Sequence, residues 1–309
     1  MRHNLAIILS VLVTEVLLVL ASRYVFDSWY LYIIHSVGLQ IGLAMVAASL
    51  LALFLGRGFY NALLLAASIA LSLHAWLMLG EFAQDAGAGG QPVLKVISFN
   101  ILGDNMKNSA AIADMLIASD ADVLFLQESA PIGPQIPRLK AAYPYRLGCG
   151  AGTITCDLSL WSRRPLIDGR VQTISPLYRD RFMAAAIDVD GTMIQLVTAH
   201  LAKPYFDETH AVELKKLGDA IHATTGPLVL GGDFNASTLS PDVRKFLRQT
   251  GLKSASTEPA TWPVRAVRLG VAIDHLFVRP PLSIASIRRL DSNFGSNHFG
   301  LVAEFGLQP

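Results

Sequence analysis

Charge is scarce in this 309-residue chain: only 16% of its residues are Asp, Glu, Lys or Arg, against about 25% in ordinary soluble domains. The shortage is local. From Leu5 to Leu79 the only charged side chains are Glu15, Arg23, Asp27 and Arg57. Cysteine is scarcer still. Cys149 and Cys156 are the only two, and no Cys/His cluster has the spacing of a zinc site, which excludes zinc fingers and ribbons. The two thiols either pair across a hairpin, if that part of the chain is extracytoplasmic, or stay unlinked. An excess of one charge sign is also missing. Val93–Pro309 carries 22 Lys and Arg against 20 Asp and Glu, a net +2. That excludes a protein that coats nucleic acid by charge alone. A nuclease needing a few Arg at one site remains open.

What is present instead is a set of long apolar runs. About 20 apolar residues cross the hydrocarbon core as a helix, and three stretches suffice: about 5–21, 29–55 and 59–79. Trp29, Tyr30 and Tyr32 stand where an interfacial aromatic belt would. The first stretch is the shortest and holds Glu15, which is expected to seek a polar contact inside the bundle. A signal peptide is the competing reading of its start, but the cleavage pattern is poor and two further spans follow. Arg2 and Arg57 on one side, against Arg23 on the other, orient the N-terminus to the cytoplasm. This predicts a multi-pass inner (cell) membrane protein, embedded in the lipid bilayer, with its large C-terminal part in the periplasm. Residues 1–80 thus read as a membrane domain, 81–92 as a Gly-rich flexible linker, and 93–309 as one folded domain. No obligate protein partner is inferred.

Within 93–309, apolar and β-branched runs predict strands at 93–100, 122–127, 154–161, 182–189, 193–199, 227–230, 271–278 and 301–305. Helical spacing of apolar residues predicts helices over 108–118, 207–223 and 241–249. Asp190-Gly191 is a two-residue hairpin turn. Strands dominate, hairpins mix with crossovers, and the pattern points to an α/β fold built as a mixed-sheet sandwich flanked by helices, rather than a doubly wound parallel sheet.

Polar residues recur where the strand patterns end or begin. Asn100, Glu128, His200, Asp233 and Asn235 follow apolar runs, while Asp274, Asn297 and His298 precede them. Such a set of carboxylates, amides and imidazoles, without a thiolate, suits Mg²⁺, with Mn²⁺ as an alternative. His275, next to Asp274, should point to the opposite face of its strand and be structural. His210 and His222 read as helix-surface residues, and Trp262 as either a cleft or a packing residue.

The ordered motifs SFNI (98–101), LQE (126–128), TAHL (198–201), GGDFN (231–235), IDHLFV (273–278) and SNH (296–298) resemble those of the endonuclease/exonuclease/phosphatase superfamily. Its members include abasic-site endonucleases, pancreatic-type deoxyribonucleases and neutral sphingomyelinases. The resemblance implies a four-layer sandwich and a divalent-metal-dependent phosphoric ester hydrolase. It implies that Glu128 binds the metal with support from Asn100, that Asp233 orients or deprotonates water, and that Asn235, His200 and Arg181 contact phosphate. It further implies that His298 lies beside the scissile phosphate, paired with Asp274. Relatives usually carry Ser-Asp-His where this chain has Ser296-Asn297-His298, so Asn297 stands as a neutral candidate ligand, and weaker or single-metal binding is expected.

The expected reaction is hydrolysis of a phosphodiester, in DNA, RNA or a phospholipid headgroup, by in-line attack of water. Two alternatives remain. One is a weakened domain that binds a phosphorylated ligand or partner without turnover. The other is a small transporter or sensor working through its helices, for which paired polar residues along the spans are too few.

Overall fold

The computed structural model describes residues 2–84 and 90–307. Three N-terminal helices are long and apolar enough to cross a membrane: α1 (Arg2–Ala21), α3 (Gly38–Leu55) and α4 (Phe59–Leu79). A short helix, α2 (Tyr32–Ser36), precedes α3. The apolar stretch expected as one helix over 29–55 is therefore broken. A 3-10 turn over Trp29–Leu31 leads into α2, and Val37 (φ −103°, ψ +21°) leaves helical geometry before α3 starts. Glu15 lies on the exposed face of α1, not in the bundle as the sequence suggested. Small polar side chains join the helices instead: Ser10 Oγ donates to Asn61 Oδ1 at 2.7 Å, and the Ser49 and Ser68 hydroxyls lie 3.1 Å apart.

The rest of the chain is a sandwich of two mixed sheets. One sheet has six strands, β1 (Pro92–Asn100), β2 (Val123–Gln127), β3 (Tyr145–Gly148), β4 (Leu158–Ser162), β10 (Leu282–Arg289) and β11 (Leu301–Leu307), in the order β10-β11-β1-β2-β4-β3. The other has five, β5 (Ile167–Gln172), β6 (Phe182–Val189), β7 (Thr192–His200), β8 (Leu228–Asp233) and β9 (Asp274–Arg279), in sequence order. Helices α5 (Ser109–Ala118) and α6 (Ile136–Ala142) cover the first sheet, and α7 (Thr209–His222) and α8 (Pro241–Thr250) the second. This is the four-layer arrangement the motifs implied.

Three apolar clusters hold the layers. Val96, Phe125, Leu160, Leu196, Val229 and Leu276 meet between the sheets. Ile97, Phe99, Leu124 and Trp161 face α5 and α6, while Val197, Leu230 and Phe277 face α7 and α8. Each central strand is thus buried on both faces, which is why its sequence is a continuous apolar run rather than an alternation.

The strand directions decide where the site falls. Each sheet contains one parallel pair, β1 with β2 and β7 with β8, and every other pairing is antiparallel. A parallel pair needs a crossover, supplied by α5 and α7. Its two strands end side by side, and antiparallel neighbours begin at that same edge.

The helices and the sandwich are joined by specific contacts. Arg23 Nη2 donates to Leu239 O (2.8 Å), Gln40 Nε2 to Gly270 O (2.9 Å), Ser237 Oγ to Ser36 O (2.6 Å) and Arg244 Nη1 to Met78 O (3.0 Å). Beyond α4, Glu81 pairs with Arg244 and Arg248, and Phe82 enters the cluster beneath α8. Burying a Phe side chain contributes roughly 1.5–3 kcal/mol. Residues 81–84 are therefore docked. Of the flexible linker expected over 81–92, residues 85–89 lie outside the described residues.

Candidate active site

At one rim of the sandwich the polar residues singled out above come together. Asn100 ends β1, and Glu128 follows β2. His200 ends β7 opposite Asp233, which ends β8, and Asp233 is in turn the register partner of Asp274 at the start of β9. The loop before β11 brings Asn297 and His298. Ser296 fastens that loop to β1, its Oγ donating to Asn100 O (2.7 Å) and accepting from His298 N (3.0 Å). A cavity of about 130 Å³ is lined by Glu128, His200, Asp233, Asn235, Asn297 and His298. Its wider neighbour, about 740 Å³, shares Glu128, His200 and Asn235 and adds Arg181.

Local backbone geometry sets these side chains in place. Glu128 (φ +50°) and Asn235 (φ +50°) both adopt the left-handed conformation, which is uncommon for non-glycine residues and clusters at functional sites. The two glycines before Asp233 are steric requirements. A Cβ at Gly231 would stand 2.6 Å from Phe125 Cδ2, and Gly232 (φ +152°) would place one 1.8 Å from Ala199 O.

Asn100 connects the carboxylates. Its Nδ2 donates to Asp233 Oδ2 (2.9 Å) and to Glu128 Oε1 (3.2 Å), and Glu128 Oε2 accepts from Gly103 N (2.8 Å). Asp233 Oδ1 accepts from Asn235 N (2.8 Å). His298 Nδ1 pairs with Asp274 Oδ2 at 2.8 Å, while its Nε2 lies 3.9 Å from Asp233 Oδ2, beyond hydrogen-bond range. Ligand atoms of Asp233, Asp274 and His298 fall within 4.8 Å of one another, and all three residues are buried.

The electrostatics follow. Burial alone would lower the imidazolium pKa of His298, but the charges of Asp274 and Asp233 overcome it and raise the value to about 9. Burial, reinforced by Asp274, raises the carboxyl pKa of Asp233, with His298 and His200 opposing. Asp274 Oδ1 is buried without a hydrogen-bond partner. An unpartnered carboxylate oxygen, two further carboxylates and neutral amides are the hard oxygen donors that suit a divalent cation of the Mg²⁺ type.

One site residue escaped the sequence reading. Asp157, immediately before β4, holds His200 Nδ1 at 2.8 Å, accepts a hydrogen bond from Arg181 Nη2 (3.0 Å) and forms an ion pair with Arg181 Nε at 2.9 Å. Burial would raise its carboxyl pKa, but the His200 hydrogen bond and the Arg181 cation hold it below the usual range. The signal was present in the pattern, a polar residue abutting a strand start, but the strand was placed from 154 and hid it. Arg181 also lies over the Tyr178 ring, 3.9 Å from its centroid. Cys149 and Cys156, on the loop before β4, form a disulfide.

The sequence matches the Endonuclease/Exonuclease/phosphatase family over residues 97–298. The chain belongs to this family. Its members are generally hydrolytic phosphoesterases that typically use divalent metals. No curated protein matches the chain. Solved structures share the fold. The humanized D. rerio TDP2 is 17% identical (TM-score 0.57) and covers 69% of this chain and 98% of its own. The human Nocturnin catalytic domain with bound sulfate is 19% identical (TM-score 0.54; 71% and 96% covered). A Staphylococcus aureus beta toxin with bound magnesium ions is 15% identical (TM-score 0.52; 68% and 99%). The shared part is the sandwich, and the apolar helices add to it.

Proposed function

We propose that the protein is a membrane-anchored, divalent-metal-dependent phosphodiester hydrolase, with residues 1–80 as its membrane domain and 93–309 as its hydrolase domain. The observation that carries this reading is the convergence of Glu128, Asp233 and His298 on one cavity from β2, β8 and the loop before β11.

Glu128, with Asn100 behind it and Asn297 facing the same cavity, would hold Mg²⁺ or Mn²⁺. The bound cation would withdraw charge from the phosphate and stabilise the transition state. Asp233 has one oxygen fixed by Asn100 and its pKa raised by burial, so it is placed to orient a water and take its proton. His298, kept cationic by Asp274, offers fixed positive charge to the phosphate oxygens. His200 and Asn235 line the same cavity, and Arg181 stands at its wider mouth. The Asp157 carboxylate sets the orientation of both His200 and Arg181. Water is the nucleophile, so no Ser or Cys is required. The cationic Arg2 and Arg57 lie at the ends of the helices remote from the sandwich, which supports a periplasmic hydrolase domain under the positive-inside rule. The disulfide accords with that compartment.

The test is release of nitrophenol from bis-(p-nitrophenyl) phosphate by the purified full chain. Turnover with Mg²⁺ or Mn²⁺ that EDTA removes supports the reading. No release with Mg²⁺, Mn²⁺ or Ca²⁺ contradicts it and favours a domain that binds phosphorylated ligands without turnover.

A further inference from the structure

We propose that the substrate is a phosphodiester carried on a lipid tail, its phosphate at the rim and its tail along a wall built by the protein's own N-terminal helices. This rests on the phosphoesterase reading above and on α1, α3 and α4 lying in a bilayer.

The sandwich does not close the catalytic cavity by itself. Ile33 of α2 and Val37, at the break before α3, line it together with Trp262, Val271 and Ile273, across from the acidic residues. A second cavity of about 510 Å³ adjoins, and Ser36 and Val271 line both. It runs between the start of α3, the end of α4 and the sandwich, and Leu39, Trp76, Leu77 and Leu239 face it. On the other side the rim opens into the 740 Å³ cavity, where Asp157, Arg181 and Lys203 are found. The phosphate site thus stands between a compartment bearing Asp157, Arg181 and Lys203 and one whose helix-side wall is mostly apolar, with Ser237, Thr238 and Glu258 on its sandwich side.

That division matches an amphiphile. A nucleic-acid strand continues as polar sugar-phosphate on both sides of the scissile bond, and it gains nothing from an apolar slot. A phospholipid has a polar headgroup on one side of its phosphate and an acyl-bearing glycerol on the other. The slot is also at the right level. The end of α1, the start of α3 and the end of α4 all meet the sandwich, through Arg23, Gln40 and Met78, so the site lies where the helices leave the apolar layer. Leu269, beside the Gly270 carbonyl that Gln40 holds, is 79% exposed, an apolar side chain placed to enter the interface. The chain breaks helical geometry at Val37, and Ile33, Ser36 and Val37 around that break all line the site.

The reaction is hydrolysis. A water oxygen adds to phosphorus, one ester P–O bond breaks, and the proton taken from water ends on the departing oxygen. The products are an alcohol and a phosphomonoester, and nothing is oxidised or reduced.

The experiment uses the full chain reconstituted in vesicles of phosphatidylethanolamine and phosphatidylglycerol with Mg²⁺ or Mn²⁺. Phosphorus NMR follows loss of the diester signal and growth of a monoester signal. Bis-(p-nitrophenyl) phosphate and a single-stranded oligodeoxynucleotide are run in parallel. Lipid turnover faster than oligonucleotide turnover is expected. Leu39→Trp, which fills the apolar cavity, should lower the ratio of lipid to nitrophenyl ester turnover about tenfold or more, the scale of lost apolar recognition in a pocket. Leu39→Ser, a smaller residue that keeps the proposal testable if the Trp variant fails to fold, should lower the ratio in the same direction. Hydrolysis of the nitrophenyl ester with the lipid left intact would overturn the lipid proposal and leave the phosphoesterase reading standing. Faster oligonucleotide cleavage, or an unchanged ratio in the variants, would do the same. Hydrolysis of none of the three would overturn both.

Discussion

Four buried or nearly buried histidines of the sandwich each pair Nδ1 with a carboxylate, yet they divide into two kinds. Beneath α8, His210 Nδ1 meets Asp242 (2.5 Å) and His275 Nδ1 meets Glu258 (2.7 Å). Their Nε2 atoms are also taken, by Phe234 O (2.7 Å) and Ala236 O (2.9 Å). At the rim, His298 meets Asp274 and His200 meets Asp157, each at 2.8 Å. Their Nε2 atoms stop 3.9 and 3.8 Å from Asp233 Oδ2 and face the cavity. A histidine–carboxylate pair is therefore no mark of catalysis by itself. What separates the regions is whether the second ring nitrogen is consumed by backbone or offered to a ligand. His210, expected on the helix surface, is in fact one of the most enclosed side chains, whereas His275 is structural as its strand register implied.

The comparison can be tested by removing groups from each region in turn. Asp233→Asn, at the rim, removes the proton acceptor and should lower kcat by about 10²–10⁴-fold, the range for a positioned acid or base, with the melting temperature nearly unchanged. Beneath α8 the same class of change should do the reverse. His210→Ala strands the Asp242 carboxylate in the core and should cost about 3–5 kcal/mol of stability, with turnover per folded molecule kept. The pH dependence of that loss carries a sign. The pKa of Asp242 is depressed, burial being outweighed by His210, so its contribution is present above the unfolded carboxyl value of about 4 and is lost as pH falls. The pKa of His210 is raised, burial being outweighed by Asp242, so its contribution is present below about pH 6.5 and is lost as pH rises through the folded value. Denaturant melts from pH 3 to 9 should therefore show the wild-type advantage over His210→Ala largest between those limits. A flat difference would mean the pair is not ionised in the folded state.

A smaller effect is expected from Asp274→Asn. It leaves His298 in place but removes the charge that holds it cationic, so the alkaline limb of kcat/KM, at or below about pH 9 in the wild type, should move down by about one unit or more. An unmoved limb would assign that titration to another group. The smallest change is expected from Asn297→Asp. A carboxylate restored to a cavity already holding Glu128 and Asp233 should tighten Mn²⁺ binding a few-fold, of the order of 1 kcal/mol for one added charge near the surface. A slower, more weakly binding enzyme would show that the amide is adapted to this site.

Much of this was legible in the sequence, for a reason the topology makes plain. A residue that must reach the rim sits where an apolar strand stops or starts, and the motif residues do so at Asn100, Glu128, Asp233, Asp274 and His298. All nine proposed site residues lie at or beside that rim. What escaped either lacked that pattern or had it masked by neighbouring residues. β5 (Ile167–Gln172) is an exposed edge strand with mostly polar residues, so hydropathy does not mark it. Asp157 was concealed because Ile154, 85% exposed, was read as part of β4. His210 lies on the same face of α7 as Glu213, Leu214 and Leu217, all buried, and only the contact with α8 shows that this face includes the polar pair. The break at Val37 falls inside an unbroken apolar run. Its consequence, a cavity wall made by the N-terminal part of the chain at Ile33, Ser36 and Val37, depends on contacts between distant parts of the chain that periodicity does not encode.

Mn²⁺ binding to the full chain at neutral pH, followed by electron paramagnetic resonance in the wild type and in Glu128→Ala, tests the central claim most directly. Loss of an outer-shell partner commonly costs 10–100-fold in affinity, so loss of the ligand itself should cost about 100-fold or more, with thermal melting little altered. Equal Mn²⁺ uptake by the two proteins would contradict the assignment of Glu128 and, with it, a cation-centred site at this rim.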